Sequence, residues 1–175
     1  MYVQWLARHE KNSERTVIIN DVEKLLDESM HSIREMSFSL SPHILQNFGL
    51  HEAINSFAGK IQQSSHIEFD VSAKDIVRFD EKIETIVYRV LCECINNSVK
   101  HSNATNISIE LNCNNKVLYV KYKDNGKGFD VKKVMDEHKG IGLLNIQSRL
   151  KSVNGSIEIK SNENKGTSIK FSVNT

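Results

Sequence analysis

The sequence has one proline, three cysteines, a formal net charge of +1 at neutral pH and no long apolar run. Each scarcity excludes something. A charge so close to zero supplies no field to steer the chain to nucleic acid or to an anionic membrane surface. No apolar stretch approaches the roughly 20 residues that cross a bilayer. Residues 1–10 lack the charged start and long apolar centre of a secretion signal. The expected setting is therefore cytoplasmic, with no membrane contact and no direct nucleic-acid partner; whether a longer parent protein is anchored stays open. Cys92 and Cys94 are two apart on an expected helix and point in different directions. No second cysteine pair or histidine spacing completes a metal site, so Cys92, Cys94 and Cys113 read as buried, reduced thiols.

What is present is a chain with 39% hydrophobic and 26% charged residues, the balance of a soluble globular protein. Its length of 175 residues leaves room for one full domain and a smaller piece. Residues 1–41 read as helical. Tyr2, Trp5 and Leu6 could end one helix, and the polar run from His9 to Arg15 would be a turn. Ile19, Val22, Leu26, Ser29, Ile33, Met36 and Leu40 then recur at alternating spacings of three and four, the seam of a helical hairpin or coiled coil. The lone proline, Pro42, is expected to stop that helix, because the residue before a proline is pushed out of helical conformation. Residues 42–49 read as a linker, and residues 50–175 as the main domain.

In that domain Leu50, Ala53, Ile54, Phe57, Ala58 and Ile61 form a helical stripe. Residues 66–72 alternate as a half-buried strand. Asp80 is a candidate N-cap for a helix whose stripe is Ile83, Ile86, Val87, Val90, Leu91 and Cys94. Ile107 to Cys113 and Val117 to Tyr122 alternate as two more strands, joined by a turn at Asn114-Asn115. The segment from Val131 to Lys139 shows no strong periodicity. Leu143, Ile146, Leu150 and Val153 mark another helix, Asn154-Gly155 a two-residue hairpin turn, and Ile157–Ile159 and Thr167–Val173 the last strands. Strands joined by turns pair mostly antiparallel. With helices on one face they predict an α+β fold, a two-layer α/β sandwich, preceded by the coiled-coil-like segment.

Four segments carry chemistry together. Glu93, Asn97, Lys100 and His101 lie on one edge of the second helix, at the border of core and cleft. Asp124, Gly126 and Gly128 follow a strand, with Asp124 on its inward parity. Gly140, Gly142 and Leu143 open a helix, and Gly166-Thr167 opens a strand. Singly each has a plain structural reading as a turn, a tight helix entry or a solvated polar pair. In this order they suit a nucleotide. A carboxylate at Asp124 accepts from an exocyclic amine and so favours adenine. Gly126 and Gly128 let backbone approach a base or sugar. Gly140 and Gly142 free helix N-terminal amides for phosphate. Asn97 offers an oxygen to a magnesium ion, and Lys100 and His101 offset phosphate charge. Thr167 would bond Asp124 or a water near the base, and Glu93 is placed to orient or activate a nucleophile near the terminal phosphate.

ECINNSVKHS, DNGKGFD, GIGL and KGTSIKF resemble the N box and the three glycine boxes of the GHKL ATPase superfamily, and within it the bacterial sensor histidine kinases. The match covers roughly residues 79–173. The resemblance implies an ATP-binding sandwich with Mg2+, Asn97 as the magnesium ligand, Asp124 as the adenine-reading carboxylate, Glu93 as the base, and residues 130–139 as a lid. IREMSFSLSPHILQNFGLHEAI is similar to the end of the dimerisation helices in the subfamily that pairs with response regulators bearing helix-turn-helix domains. That implies a homodimer in the full-length protein and a response-regulator partner. His9 is followed by Glu10 but then by a polar turn, and His31, His43 and His51 fall too late. The phosphoacceptor histidine is therefore expected upstream of Met1, and this chain alone is not expected to autophosphorylate. The alternatives are a serine kinase or ATPase of the same superfamily, and a non-catalytic nucleotide-binding dimerisation module.

Overall fold

The computed structural model describes residue 22, residues 42–136 and residues 141–175. The heptad stripe apart from Val22, the turn around His9, Gly140 and the end of the expected lid lie outside those residues. Val22 is helical. Residues His43–Thr175 form one compact unit.

Helix α1 runs Pro42–Ser64. Pro42 opens it rather than leading a linker: proline has no N–H to satisfy, and the first helical turn requires none. Residues 42–48, read from sequence as linker, are thus helical. Gly49 is the break, with φ 83° and ψ −178°. Past it, Leu50, Ala53, Ile54, Phe57 and Ala58 are buried, as their spacing predicts. Gly59, in contrast, has no heavy atom within 4 Å of where a Cβ would stand and keeps an ordinary helical backbone. Gly59→Ala is expected to stabilise the domain by about 0.5–1 kcal/mol, because alanine leaves fewer unfolded conformers to lose. A thermal melt that does not rise for this variant would contradict that account.

Strand β1 (Glu68–Lys74) leads through helix α2 (Glu81–His101) to β2 (Asn106–Asn114). β3 (Val117–Asp124) follows, then the short helix α3 (Val131–Asp136), helix α4 (Ile141–Lys151), β4 (Ser156–Ser161) and β5 (Thr167–Asn174). α3 occupies part of the segment that shows no periodicity in sequence. Asp130 starts it, its Oδ1 accepting the amide of Lys133 at 3.0 Å. Such a cap depends on one side chain and leaves no periodic trace.

The sheet order is β1-β2-β3-β5-β4. β2–β3, β3–β5 and β4–β5 are antiparallel. β1–β2 is parallel, the one departure from the expected turn-linked pairing. It is parallel because a helix, not a turn, joins the two strands. One face of the sheet is apolar except at the end that carries Asp124 and Thr167: Ile107, Ile109, Leu111, Leu118, Val120, Tyr122, Ile169, Phe171 and Val173 are all buried. The opposite face is polar and carries an exposed Lys121–Glu110 ion pair at 2.7 Å. Buried residues of α1, α2 and α4 complete the core, giving the two-layer α/β sandwich.

Three local features tie α2 and the sheet in place. Asp80 caps α2 through Oδ1, which accepts the Lys82 amide at 2.9 Å. Glu84, four residues further on, is buried at 1% exposure. It accepts from Arg78 Nη2 at 2.9 Å and from the Phe79 amide at 3.0 Å, while Arg78 Nη1 reaches the Gln46 carbonyl on α1 at 2.9 Å. A buried carboxylate persists only where it is paired in this way. The β2–β3 turn is centred on Asn115 and Lys116, with φ 51° and 60°, one residue later than the sequence reading. Asn154-Gly155 is not a hairpin turn. The Gly155 amide bonds the Leu150 carbonyl at 2.8 Å and the Asn154 amide the Lys151 carbonyl at 3.1 Å. This is the double bond of a helix C-cap, with Asn154 at φ 54°. The element before this dipeptide is a helix, so the turn ends α4.

Candidate nucleotide site

The site is assembled on the inner face of α2. Residues on a helix advance about 100° each, so Glu93 and Asn97 share a flank, while Leu91, Cys94, Ile95 and Ser98 face the sheet. Glu93 and Asn97 are half-buried; Lys100 and His101 are exposed. α4 begins opposite them. A Cβ on Gly142 would collide with Glu93 Oε1 and stand 3.1 Å from Asn97 Nδ2. The N-terminus of α4 therefore lies against the acid and the amide, and a larger residue there would displace the Glu93 carboxylate.

Asp124 ends β3, 2% exposed. In the ladder it pairs with Ile107 on one side and Thr167 on the other. Its Oδ1 accepts the Gly126 amide at 2.9 Å and the Thr167 amide at 3.3 Å. Its Oδ2 accepts the Ser98 hydroxyl at 2.7 Å. Ser98 in turn accepts from Tyr122 Oη at 2.7 Å, and Tyr122 Oη also lies 3.2 Å from the Cys94 carbonyl. Burial raises the Tyr122 phenol well above its ordinary pKa, with the Cys94 thiol a smaller contribution and the Ser98 bond opposing both.

The structure thus brings Glu93, Asn97 and Gly142 together, and separately joins Asp124, Gly126 and Thr167. It also shows what the protein itself places around the other expected site residues. The glycines of the DNGKG loop are required by the protein itself. A Cβ on Gly126 would stand 2.5 Å from the Ser102 carbonyl, and one on Gly128 would run into the Asn162 carbonyl. Thr167 meets Asp124 through its backbone amide; its hydroxyl contacts Ser161 Oγ at 3.1 Å. Leu143 is buried in the core, 7% exposed. His101 is pushed below its ordinary pKa by partial burial first, then by Lys100 and Lys127, against a smaller opposing pull from Glu93. Lys100, and Lys127 in the glycine loop, are the cations beside it.

Two residues were missed. Ser98 is polar but lies on the buried stripe, four residues after Cys94, and that position was its signal. Tyr122 was placed inward by parity and taken as core. Asn125 is a third loop brace, its Oδ1 accepting the Thr105 and Asn106 amides at 2.9 Å each. Among the described residues no group of three or more His, Cys, Asp or Glu is placed to hold a metal ion. The thiols take no part: Cys92, Cys94 and Cys113 are free, and burial pushes Cys92 up to about 12.

Residues 82–175, which hold every element of this site, match the model of the histidine kinase-, DNA gyrase B- and HSP90-like ATPases. The chain belongs to that family. Among its relatives is the oxygen sensor histidine kinase NreB of Staphylococcus carnosus, 30% identical over 155 residues and 87% of this chain. The chain spans 44% of that protein's length. The histidine kinase domain of the blue-light activated kinase of Erythrobacter litoralis EL346 superposes with a TM-score of 0.64 at 13% identity, covering 98% of this chain and 92% of that one. The Acinetobacter baumannii histidine kinase AdeS gives 0.60 at 13% identity, covering 94% and 86%. These solved structures share the fold. The family match places this fold among the ATPase domains over residues 82–175. No helix among the described residues is long and apolar enough to cross a membrane.

Proposed function

We propose that this GHKL domain binds ATP with Mg2+ in the cleft between α2, the loop after Asp124 and the start of α4, and that it transfers the γ-phosphoryl group to a histidine outside the domain. The observation that carries this reading is Asp124: a carboxylate 2% exposed, surrounded by three donors, at the end of a strand beside the glycine loop. Such a group reads an amine, and the 6-amino group of adenine is the amine a nucleotide offers.

The donor set suits the cation. Mg2+ keeps several waters and takes few protein ligands when phosphates supply the rest. Asn97 alone would hold it from the protein side. Bound there, the ion neutralises phosphate charge as the bond to the leaving phosphate breaks. Glu93, one turn before Asn97, would orient the attacking imidazole and receive its proton. The amides at the start of α4, with Gly142 among them, would hold phosphate oxygens. Leu143 packs behind those amides. Lys100 and Lys127 would offset phosphate charge. Residues 130–139 would close over the nucleotide. In the whole protein, a helical hairpin built on residues 1–41 would make a homodimer and present the acceptor histidine, and a response regulator would take the phosphoryl group onward.

The test is calorimetric titration of the chain with ATP in Mg2+ and again in EDTA, followed by incubation of the longer parent protein with γ-labelled ATP. Magnesium-dependent binding and acid-labile label on histidine are the expected results. Binding without any transfer in the longer protein would point to a non-catalytic nucleotide module.

A further inference from the structure

The sheet and the site are joined by one buried chain of hydroxyls that the proposed chemistry has not used. Tyr122 is 1% exposed and Ser98 4% exposed. Tyr122 Oη donates to Ser98 Oγ at 2.7 Å, and Ser98 Oγ donates to Asp124 Oδ2 at 2.7 Å. We infer that Tyr122 and Ser98 are positioning residues, a relay that holds Asp124 Oδ2 in place with one acceptor direction left for the cleft, so that the carboxylate selects a 6-amino over a 6-oxo purine. The inference rests on the reading of Asp124 as the group that meets the base.

A carboxylate offers about four acceptor directions. On Asp124 three are taken: Gly126 and Thr167 amides on Oδ1, and the Ser98 hydroxyl on Oδ2. One direction on Oδ2 is left. Two of the three bonds come from backbone amides, which can only donate. The third comes from a hydroxyl, which can turn. Ser98 Oγ would be free to swing toward the helix backbone, as Ser102 does in bonding the Ser98 carbonyl at 2.7 Å. Tyr122 prevents this. Its phenol donates to Ser98 Oγ at 2.7 Å, closer than its other acceptor, the Cys94 carbonyl at 3.2 Å, so the Ser98 proton is left to point at Asp124. The phenol keeps its own proton over the whole working pH range, because burial raises it well above its ordinary value.

The open direction on Oδ2 must therefore meet a donor. Adenine presents one, and guanine presents a carbonyl that would leave two acceptors facing each other, a buried mismatch that is costly. If the relay is cut, the vacated space admits water. Water donates or accepts with equal ease, so it can bridge Asp124 to a 6-oxo group, and the distinction fades.

The experiment measures dissociation constants for ATP and GTP in Mg2+ on the full chain, with thermal melts as the folding control. Ser98→Ala is expected to lower the ATP-over-GTP preference by about tenfold, the loss of one such hydrogen bond. Tyr122→Phe, which keeps the ring, should lower it by about threefold to tenfold. Ser98→Thr restores the hydroxyl and should keep the preference within about twofold. An unchanged preference in Ser98→Ala would overturn the relay. If Tyr122→Phe does not fold, the Ser98→Ala and Ser98→Thr pair decides alone, since each changes a single small side chain. Asp124→Asn separates the relay from the reading it rests on. If Asp124→Asn leaves ATP binding and preference intact, Asp124 does not meet the base and both ideas fall. If it removes them while Ser98→Ala changes nothing, only the relay falls.

Discussion

Asn97→Ala is expected to raise the dissociation constant for ATP by about 10²-fold or more in Mg2+ and to leave the much weaker binding in EDTA unchanged. Its amide stands beside the start of α4, where a Cβ on Gly142 would lie 3.1 Å from Nδ2. Phosphate oxygens held at those helix amides would put a cation within reach of the side-chain oxygen. Removing the amide leaves the ion held by phosphate and water alone, as in free solution, so the domain loses its differential hold on the magnesium complex. Glu93→Gln should behave in the opposite way. Binding stays within a few-fold because the neutral amide keeps the volume, whereas transfer in the longer protein falls by about 10²-fold or more, the range for loss of a general base. Titration and label incorporation on the same preparations separate the two. Equal ATP affinity in Asn97→Ala and the unaltered chain would rule out the magnesium role.

Gly128→Ala is expected to cost about 2–4 kcal/mol of folding stability. Two effects add. The residue has φ 63°, a left-handed conformation that costs a Cβ-bearing residue about 1–2 kcal/mol. A Cβ there would also run into the Asn162 carbonyl and stand 2.9 Å from the Gly166 carbonyl. Both obstacles are backbone, so neither can turn away as a side chain would, and relief requires the β4–β5 loop to move off the glycine loop. The Asn164 amide bonds the Lys127 carbonyl at 2.5 Å and the Phe129 amide bonds Ser161 Oγ at 3.0 Å across the same contact, so those bonds go with it. Chemical denaturation should show a lower midpoint with an unchanged slope. Gly59→Ala, also a glycine-to-alanine change, should move the midpoint the other way, which tests the packing argument rather than residue type. A Gly128→Ala variant as stable as the parent would show that the loop yields more easily than its contacts indicate.

The inward parity of Ile107 to Leu111, of Leu118 to Asp124 and of Thr167 to Val173 was legible because a half-buried strand repeats every two residues. So was the buried stripe of α2, which repeats at helical spacing. Periodicity states which side chains face inward; it does not state what they meet there. Ser98 faced inward as plainly as Cys94, yet its partners Asp124 and Tyr122 come from another element. Glu84 shares a face with Val87 and Leu91, but its partner Arg78 lies before the helix begins, so periodicity gives no sign of the pair. The glycines were noticed for a clash that a Cβ would make, but the protein neighbours they meet were not legible. What crowds Gly126 is Ser102 at the end of α2, a contact set by how a loop closes on a helix. The parallel β1–β2 pair, the shift of the β2–β3 turn by one residue and the helix cap at Asn154-Gly155 share a cause. Local residue types restrict a turn, and the elements on either side decide what the turn joins.

The ladder partner of Asp124 has a consequence in time. Its Oδ2 is met by a side chain 26 positions earlier, and its Oδ1 by an amide 43 positions later. β3 is also paired on one side with β2 through a short turn, and on the other with β5, the last strand of the chain. As a ribosome releases this chain, the β2–β3 hairpin and α2 are available long before residue 167 emerges. Until then the carboxylate lacks one of its amides and Gly128 lacks the wall it packs against. The surroundings of Asp124 are thus completed only once β5 has joined the sheet, however early α2 and the β2–β3 hairpin form.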